Sequence, residues 1–226
     1  MPTDVYFYVA ISAGLIPALF WLWFWLREDK EHPEPWTMVA IAFISGMAVV
    51  PLVLPLQKLA IDLYAGQNLV FVWVVIEEVA KYAVALAVVL WNKAVDEPID
   101  MIMYMIFIAL GFAALENALY IYSPLAAGEL ERSLFTGGFR FLGATLLHVL
   151  ASASIGVCMA FAFYKSWPVK LVYGTIGLFI AIVLHALFNF SIMEASGDAV
   201  LLVFLFVWIG IIVLFLLFEK VKQLTS

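Results

Sequence analysis

The sequence predicts an all-α membrane protein, a polytopic bundle of about seven transmembrane helices that form a single domain over residues 1–226. Of the 226 residues, 66% are hydrophobic and 12% are charged, and the mean hydropathy is +1.10. Soluble domains, by comparison, are only about half apolar. The apolar residues also fall into segments of roughly 20 residues, which is the length that crosses a bilayer as a helix.

Short polar linkers separate these segments and leave no room for a soluble domain. Pro51 and Pro55 lie in the second segment, so we expect its helix to kink or end early. An amphipathic stretch over 56–64 would then lie on the membrane interface, and the linker over 123–138 is predicted to be a loop. The predicted spans are approximately 5–26, 36–56, 69–91, 99–122, 140–163, 169–190 and 199–218.

The distribution of lysine and arginine predicts the orientation, because short cytoplasmic loops carry an excess of both. Lys58, Arg132 and Arg140 fall on one side of the predicted bilayer. The other side carries Arg27, Lys30, Lys93, Lys165, Lys170, Lys220 and Lys222. We therefore expect a multi-pass protein of the cell membrane with its N-terminus outside and its C-terminus in the cytoplasm. The net charge of −6 does not suggest a nucleic-acid partner.

Ionisable and amide side chains lie inside four consecutive predicted spans, although each is costly to bury in hydrocarbon. They are Glu77, Glu78 and Lys81 in the third span, Glu116 and Asn117 in the fourth, His148 in the fifth, and His185 and Asn189 in the sixth. At 1.5 Å of rise per residue, four of them lie roughly 8–12 Å from the outer ends of their helices. We therefore expect a four-helix core with one polar layer in the outer half of the bilayer.

The charges in this layer do not balance. Lys81 stands three and four residues after the two glutamates of its helix, so it can pair with either carboxylate. One lysine cannot neutralise Glu77, Glu78 and Glu116, so at least one carboxyl group is protonated or held by another cation. A purely structural alternative is an internal ion pair, with the histidines as hydrogen-bonded links between helices.

Two histidines and several carboxylates in one cavity are typical of a zinc site that keeps a position for water. A further glutamate can take a proton from that water during hydrolysis. The zinc-protease pattern HExxH and the serine-hydrolase pattern GxSxG are absent, and no aspartate lies in the interior of a predicted span. The composition of the polar layer therefore favours a metal-dependent hydrolase.

Four motifs carry a family resemblance: "EEVAK" at 77–81, "GFAALENALY" at 111–120, "RFLGATLLHVLASASIG" at 140–156 and "HALFN" at 185–189. In this order they resemble the PrsW family of intramembrane proteases, relatives of the CAAX prenyl endopeptidases, over a motif core of about 70–190. Lys81 and Glu116 match the PrsW pattern. The resemblance implies a membrane-embedded endopeptidase that cuts membrane-anchored proteins. The expected partner is an anti-sigma-factor-like substrate cut in regulated proteolysis.

Within that resemblance we assign a role to each residue of the polar layer. Glu77 or Glu78 is the general base, with Glu77 preferred, and Lys81 is its electrostatic partner. Asn189 and Asn117 are expected to donate hydrogen bonds to the developing oxyanion. The expected cofactor is Zn²⁺, and its expected ligands are Glu116, His148 and His185.

Three alternatives stay open at the level of sequence. Glutamate and histidine can activate water without a metal. A proton-coupled transporter or channel also uses buried glutamate, lysine and histidine, although a relay needs stations toward both faces and the inner halves of these spans are apolar. The third is a noncatalytic membrane scaffold, against which the intact pair of Glu77 and Glu78 argues.

Overall fold

A computed structural model describes residues 3–29 and 33–224, and every regular element in these ranges is helical. The predicted all-α bundle is thus confirmed. The elements are α1 (Thr3–Glu28), α2 (Trp36–Leu63), α3 (Gly66–Val88), α4 (Pro98–Ala126), α5 (Leu130–Phe139), a π-helical turn (Arg140–Ala144), α6 (Thr145–Phe161), α7 (Trp167–Glu194) and α8 (Ala199–Lys222).

Six helical stretches of the described chain are long and apolar enough to cross a membrane. They are α1, α2, α4, α7, α8 and the continuous stretch Leu130–Phe161, which joins α5, the π-helical turn and α6. α3 has the length, at 23 residues, but carries Glu77, Glu78 and Lys81 in its middle. The third predicted span is therefore a helix of sufficient length that is less apolar than the other six.

α2 runs without interruption from Trp36 to Leu63, through both Pro51 and Pro55. The predicted early end and the separate interfacial stretch over 56–64 are therefore wrong. Helices inside membranes tolerate proline because neighbouring helices and local adjustments satisfy the freed backbone groups. This continuity carries Gln57, on the last turns of α2, to the level of the glutamates of α3.

α4 is the central helix, and all residues over 98–114 are buried. It packs chiefly against α1, α2 and α6. α2 and α4 cross very closely at two glycines: a Cβ on Gly111 would collide with the carbonyl oxygen of Phe43, and one on Gly46 with that of Ile108. The crossing brings the C-terminal half of α2 beside the part of α4 that carries Glu116.

The predicted loop over 123–138 is also wrong, since it contains the end of α4 and most of α5. Ser133 Oγ donates a hydrogen bond to the carbonyl oxygen of Ile121 at 3.1 Å and fastens α5 to α4. Gly137 faces the Ile121 side chain, where there is room even for a Cβ. The second half of the predicted loop, with its glycine pair Gly137 and Gly138, thus lies in a helix that is held by its contacts with α4.

Candidate active site and metal centre

α3 directs its two neighbouring glutamates to different surroundings, because consecutive residues of a helix point about 100° apart. Glu78 is fully buried, and Lys81 Nζ donates to its Oε1 at 2.6 Å, one turn along the same helix. Lys81 is fully buried as well. Glu77 instead lines two cavities on the other side of the helix. One glutamate is therefore part of a buried ion pair, and the other faces open space.

Glu78 also positions the histidine of α7. His185 Nδ1 lies 2.6 Å from Glu78 Oε1, the oxygen that accepts from Lys81. The contact places the proton of His185 on Nδ1, because a carboxylate only accepts hydrogen bonds. The other ring nitrogen, Nε2, then keeps its lone pair and lies 3.9 Å from Glu77 Oε2. A carboxylate that orients a histidine in this way is a common support for a metal ligand.

His148 connects α6 to both neighbouring helices. Lys81 Nζ lies 3.2 Å from its Nδ1, and its Nε2 lies 3.0 Å from Glu116 Oε2. Because Lys81 donates to Nδ1, the ring proton lies on Nε2 and is donated to Glu116. The ring stands edge-on to Phe112 and to His185, with centroid distances of 5.1 and 4.9 Å.

Glu116 has a cation of its own, Arg140 on the π-helical turn. The Arg140 guanidinium also donates through Nε to Asn117 Oδ1 at 2.5 Å and stacks 4.0 Å from the Tyr120 ring. Asn117 Nδ2 in turn donates to Thr145 Oγ1 at 2.9 Å. Both ends of the Asn117 amide are thus engaged in linking α4 to the start of α6.

Arg140 is the principal site residue that sequence reasoning missed, since it was counted as a loop charge outside the membrane. The signal was the charge imbalance of three buried carboxylates against one lysine. Gln57 was missed as well, because α2 was expected to end before it. The side-chain Nε2 of Gln57 donates to Glu77 Oε1 at 2.7 Å. The backbone carbonyl oxygen of Gln57 accepts from the Trp73 indole N–H at 3.0 Å.

With Arg140 included, the site has three carboxylates and two cations, so one carboxylate has no cation beside it. Lys81 pairs with Glu78 and Arg140 with Glu116. Within the described ranges no lysine or arginine lies within ion-pair distance of Glu77. Its Oε1 accepts from Gln57, while its Oε2 is buried and makes no hydrogen bond. This unpartnered oxygen is the one that faces His185 Nε2.

Two cavities of about 570 and 350 Å³ meet at this point. Trp73, Glu77, Glu116 and Tyr120 line both of them. The smaller cavity also reaches His148, His185 and Asn189. The Asn189 amide makes no side-chain hydrogen bond in the part of the chain that the structure describes, so its donors are available.

The structure thus brings the predicted residues together in two layers. Those that line the cavities are Glu77, Glu116, His148, His185 and Asn189. Glu78, Lys81 and Asn117 line neither cavity and stand behind them. Glu77, His148 and His185 offer ligand atoms that lie within 4.8 Å of one another, close enough to hold a metal ion. This trio differs from the expected ligands in its carboxylate, which is Glu77 where sequence reasoning had Glu116.

The donor chemistry of this trio fits zinc, because catalytic zinc sites use three histidine or carboxylate ligands and keep one position open. Glu77 Oε2 makes no hydrogen bond, and it faces the lone pair of His185 Nε2 at 3.9 Å. A cation between them would satisfy both.

Comparison with known proteins points to one family. A family model described as PrsW family intramembrane metalloprotease matches residues 34–217. Protease PrsW of Clostridioides difficile strain 630 is 27% identical over 203 residues, which cover 86% of this chain and 83% of that protein. Protease PrsW of Bacillus subtilis strain 168 is 27% identical over 198 residues, 84% of this chain and 85% of that protein. No solved structure matches the chain significantly.

Proposed function

Because the chain belongs to the PrsW family of intramembrane metalloproteases, and is therefore an intramembrane endopeptidase, we propose that it hydrolyses its substrate where the two cavities meet. The observation that carries the proposal is the position of Glu77 Oε2. This oxygen has neither a cation nor a hydrogen-bond donor, lies at the junction of the cavities and faces a histidine nitrogen at 3.9 Å.

We assign the metal ligands to Glu77, His148 and His185, and the metal to zinc. His148 would give up one of its two present contacts, to Lys81 or to Glu116, to bind the metal. Bound zinc would polarise the peptide carbonyl and lower the pKa of water. The assignment exchanges two roles expected from sequence, since Glu77 becomes a ligand and Glu116 becomes the general base.

The side chains around the junction supply the remaining chemistry. Glu116 Oε2 is held by Arg140, and Oε1 is left to accept a proton from the attacking water. As the water oxygen bonds to the peptide carbonyl carbon and the C–N bond breaks, that proton passes to the leaving nitrogen. An N–H of Asn189 stabilises the negative charge that develops on the carbonyl oxygen. Glu78 holds His185 in place, and Lys81 holds Glu78.

The substrate is a membrane-anchored protein, and we propose from the resemblance an anti-sigma-factor-like protein cut in regulated proteolysis. The lysine and arginine distribution supports a cell-membrane location with the N-terminus outside, the C-terminus in the cytoplasm and the site in the outer half of the bilayer. With Arg140 half-buried and paired with Glu116 in the site, Lys58 and Arg132 remain as the charges on the outer side, which increases the asymmetry of the lysine and arginine distribution.

The test uses the full chain, purified in detergent and incubated with single-span membrane proteins, with elemental analysis for metal. Wild type should cleave and hold roughly one zinc ion per chain. Glu77→Gln, His148→Ala and His185→Ala should lose both properties. Glu219→Gln on the exposed part of α8, which contacts Lys222 only at the surface, is the matched control and should lose neither.

Two results would revise this assignment. Glu77→Gln protein that is inactive but keeps its zinc would make Glu77 the general base, as the sequence suggested. Wild-type protein that cleaves without any metal would remove zinc altogether. A wild type that cuts no membrane-anchored protein under any metal condition would overturn the proposed reaction.

A further inference from the structure

The larger cavity extends away from the reacting groups between α2, α4 and α5. The smaller cavity already holds both histidines and Asn189, so the larger one is not needed to contain the catalytic groups. Glu77 and Glu116 line both cavities. The larger cavity therefore begins at the point where the scissile bond would lie. A substrate chain that passes this junction places the residues next to its scissile bond in or beside this space.

The lining of the larger cavity changes along its length. On the part of α2 that precedes Gln57, and on the facing part of α4, the lining includes Val50, Val53 and Phe112, all buried and packed together as a small apolar cluster. Toward its opening it includes Glu129 and Arg132, which are exposed. The inner part therefore favours an apolar side chain, and the mouth is suited to contact with water or headgroups.

Val53 stands at the best place to limit the depth of this inner part. It precedes Gln57 by one helical turn on the same face of α2, roughly 6 Å along the axis. Gln57 holds Glu77, so Val53 lies one helical turn from the residue that contacts this carboxylate. Val53 is 2% exposed and makes no polar contact, whereas Phe112 packs against His148 and Lys81 and cannot be changed without disturbing them.

We infer that the larger cavity is a specificity subsite for an apolar substrate side chain next to the scissile bond, and that Val53 sets the largest side chain it accepts. The inference rests on the proposed function. Substrate selection in a hydrophobic pocket follows volume, and one methylene group changes selectivity by about 10- to 200-fold.

The experiment compares Val53→Ala and Val53→Phe with wild type on single-span substrates that carry Ala, Leu or Phe on either side of the scissile bond. The measured quantity is the ratio of kcat/KM for the Phe substrate to that for the Ala substrate, which cancels differences in the amount of folded enzyme. At one of the two positions, Val53→Ala should raise this ratio about tenfold or more, and Val53→Phe should lower it by a similar factor.

Val39→Ala is the matched control, because Val39 lies on the same helix, is 2% exposed and lines neither cavity. It should leave the ratio unchanged even if it lowers stability. The proposed subsite would be overturned if both Val53 variants had the same ratio of kcat/KM as Val39→Ala on both sides of the scissile bond. That result differs from failure of the proposed reaction, in which wild type cuts none of the substrates.

Discussion

α4 carries two groups of buried carboxylates that the protein stabilises in opposite ways. The first is the site itself, in which Glu116 of α4 meets the glutamates of α3. The second lies near the start of α4, where Tyr104 and Asp100 meet Glu34 from the connection between α1 and α2. Glu116 and Tyr104 are twelve residues apart, which is roughly 18 Å along the helix axis.

The second group is stabilised by neutral donors. The Tyr104 hydroxyl donates to Glu34, and Asp100 Oδ2 accepts from the backbone N–H groups of Asp96 and Glu97 at 2.8 Å each. In the described chain no lysine or arginine lies within ion-pair distance of Glu34 or Asp100. Burial, with the nearby charges of Asp100 and Asp29, raises the pKa of Glu34 to about 9, so Glu34 carries a proton at neutral pH.

The comparison separates burial from function. Both groups are buried and both include an unpartnered carboxylate oxygen. Only the first combines fixed cations, two histidines and a cavity, and therefore keeps charged oxygens next to space for a substrate. The second holds its connection against α4 through the protonated Glu34 and neutral donors, without a cation in the described chain. In this protein, cations beside a cavity mark the site, whereas buried acid alone does not.

The largest effect should follow from Lys81→Met, which leaves the Glu78 carboxylate buried with His185 as its remaining partner. Breaking a buried ion pair from one side costs about 3–5 kcal/mol of unfolding free energy. Tyr104→Phe in the second group removes a donor to a neutral acid and should cost only about 1 kcal/mol. Unfolding in detergent measures both changes.

The double variant Lys81→Met, Glu78→Gln should recover part of that loss, because it removes the unpaired charge as well. Equal costs for Lys81→Met and Tyr104→Phe would contradict the distinction between a charged and a neutral group. Both variants should keep the helix, since methionine and phenylalanine are close in size to the residues they replace and are compatible with a helix.

Arg140→Gln should have the next largest effect, because it leaves Glu116 without its cation in a site that is only partly open to water. We expect a loss of about 1–3 kcal/mol in stability together with reduced cleavage. Arg140→Lys should rescue neither, since an ammonium group cannot contact Glu116 and Asn117 in the planar way a guanidinium does. Lys93→Gln, in the exposed connection before α4, is the control; full activity of Arg140→Lys would show that charge alone suffices.

Gln57→Ala should act mainly on catalysis, since it removes the donor that fixes Glu77. One hydrogen bond of this kind is worth about 1 kcal/mol net, so we expect a roughly fivefold loss of kcat with little change in stability. Gln67→Ala is a matched control, because Gln67 makes the same type of contact with Glu194 at 2.8 Å on the exposed surface. An equal loss of activity in both variants would mean that Gln57 has no special role.

Some of these features of the fold and the site could be predicted from the sequence, and others could not. Composition and span length predicted the fold class, and the motifs over 77–189 predicted the family and the endopeptidase activity; all three are confirmed. Helical spacing also grouped Glu78 with Lys81, because that pair lies within one helix. The roles of the individual site residues stay predictions.

The sequence could not predict which side chains of different helices contact one another. Gln57 reaches Glu77 across 20 positions, and Arg140 reaches Glu116 across 24. Periodicity gives the face of a helix but not the helix that packs against it. Proline and glycine caused both errors of the fold, at α2 and α5, because tertiary contacts stabilise helices that isolated segments would not form.

The smallest effect concerns the pH dependence of stability at Glu34. An unfolded chain ionises this carboxyl near pH 4.5, whereas the folded protein keeps its proton up to about pH 9. Between these values unfolding releases a proton, so this group's contribution to stability is full below pH 4.5 and decreases as the pH rises toward 9.

Glu34→Gln removes the titration and keeps an acceptor for Tyr104. The melting temperature of Glu34→Gln minus that of wild type should therefore increase from pH 5 to pH 9 in detergent. A difference that stays constant or decreases over this range would mean that Glu34 is already ionised in the folded protein, and the two groups on α4 would then not differ in the way described.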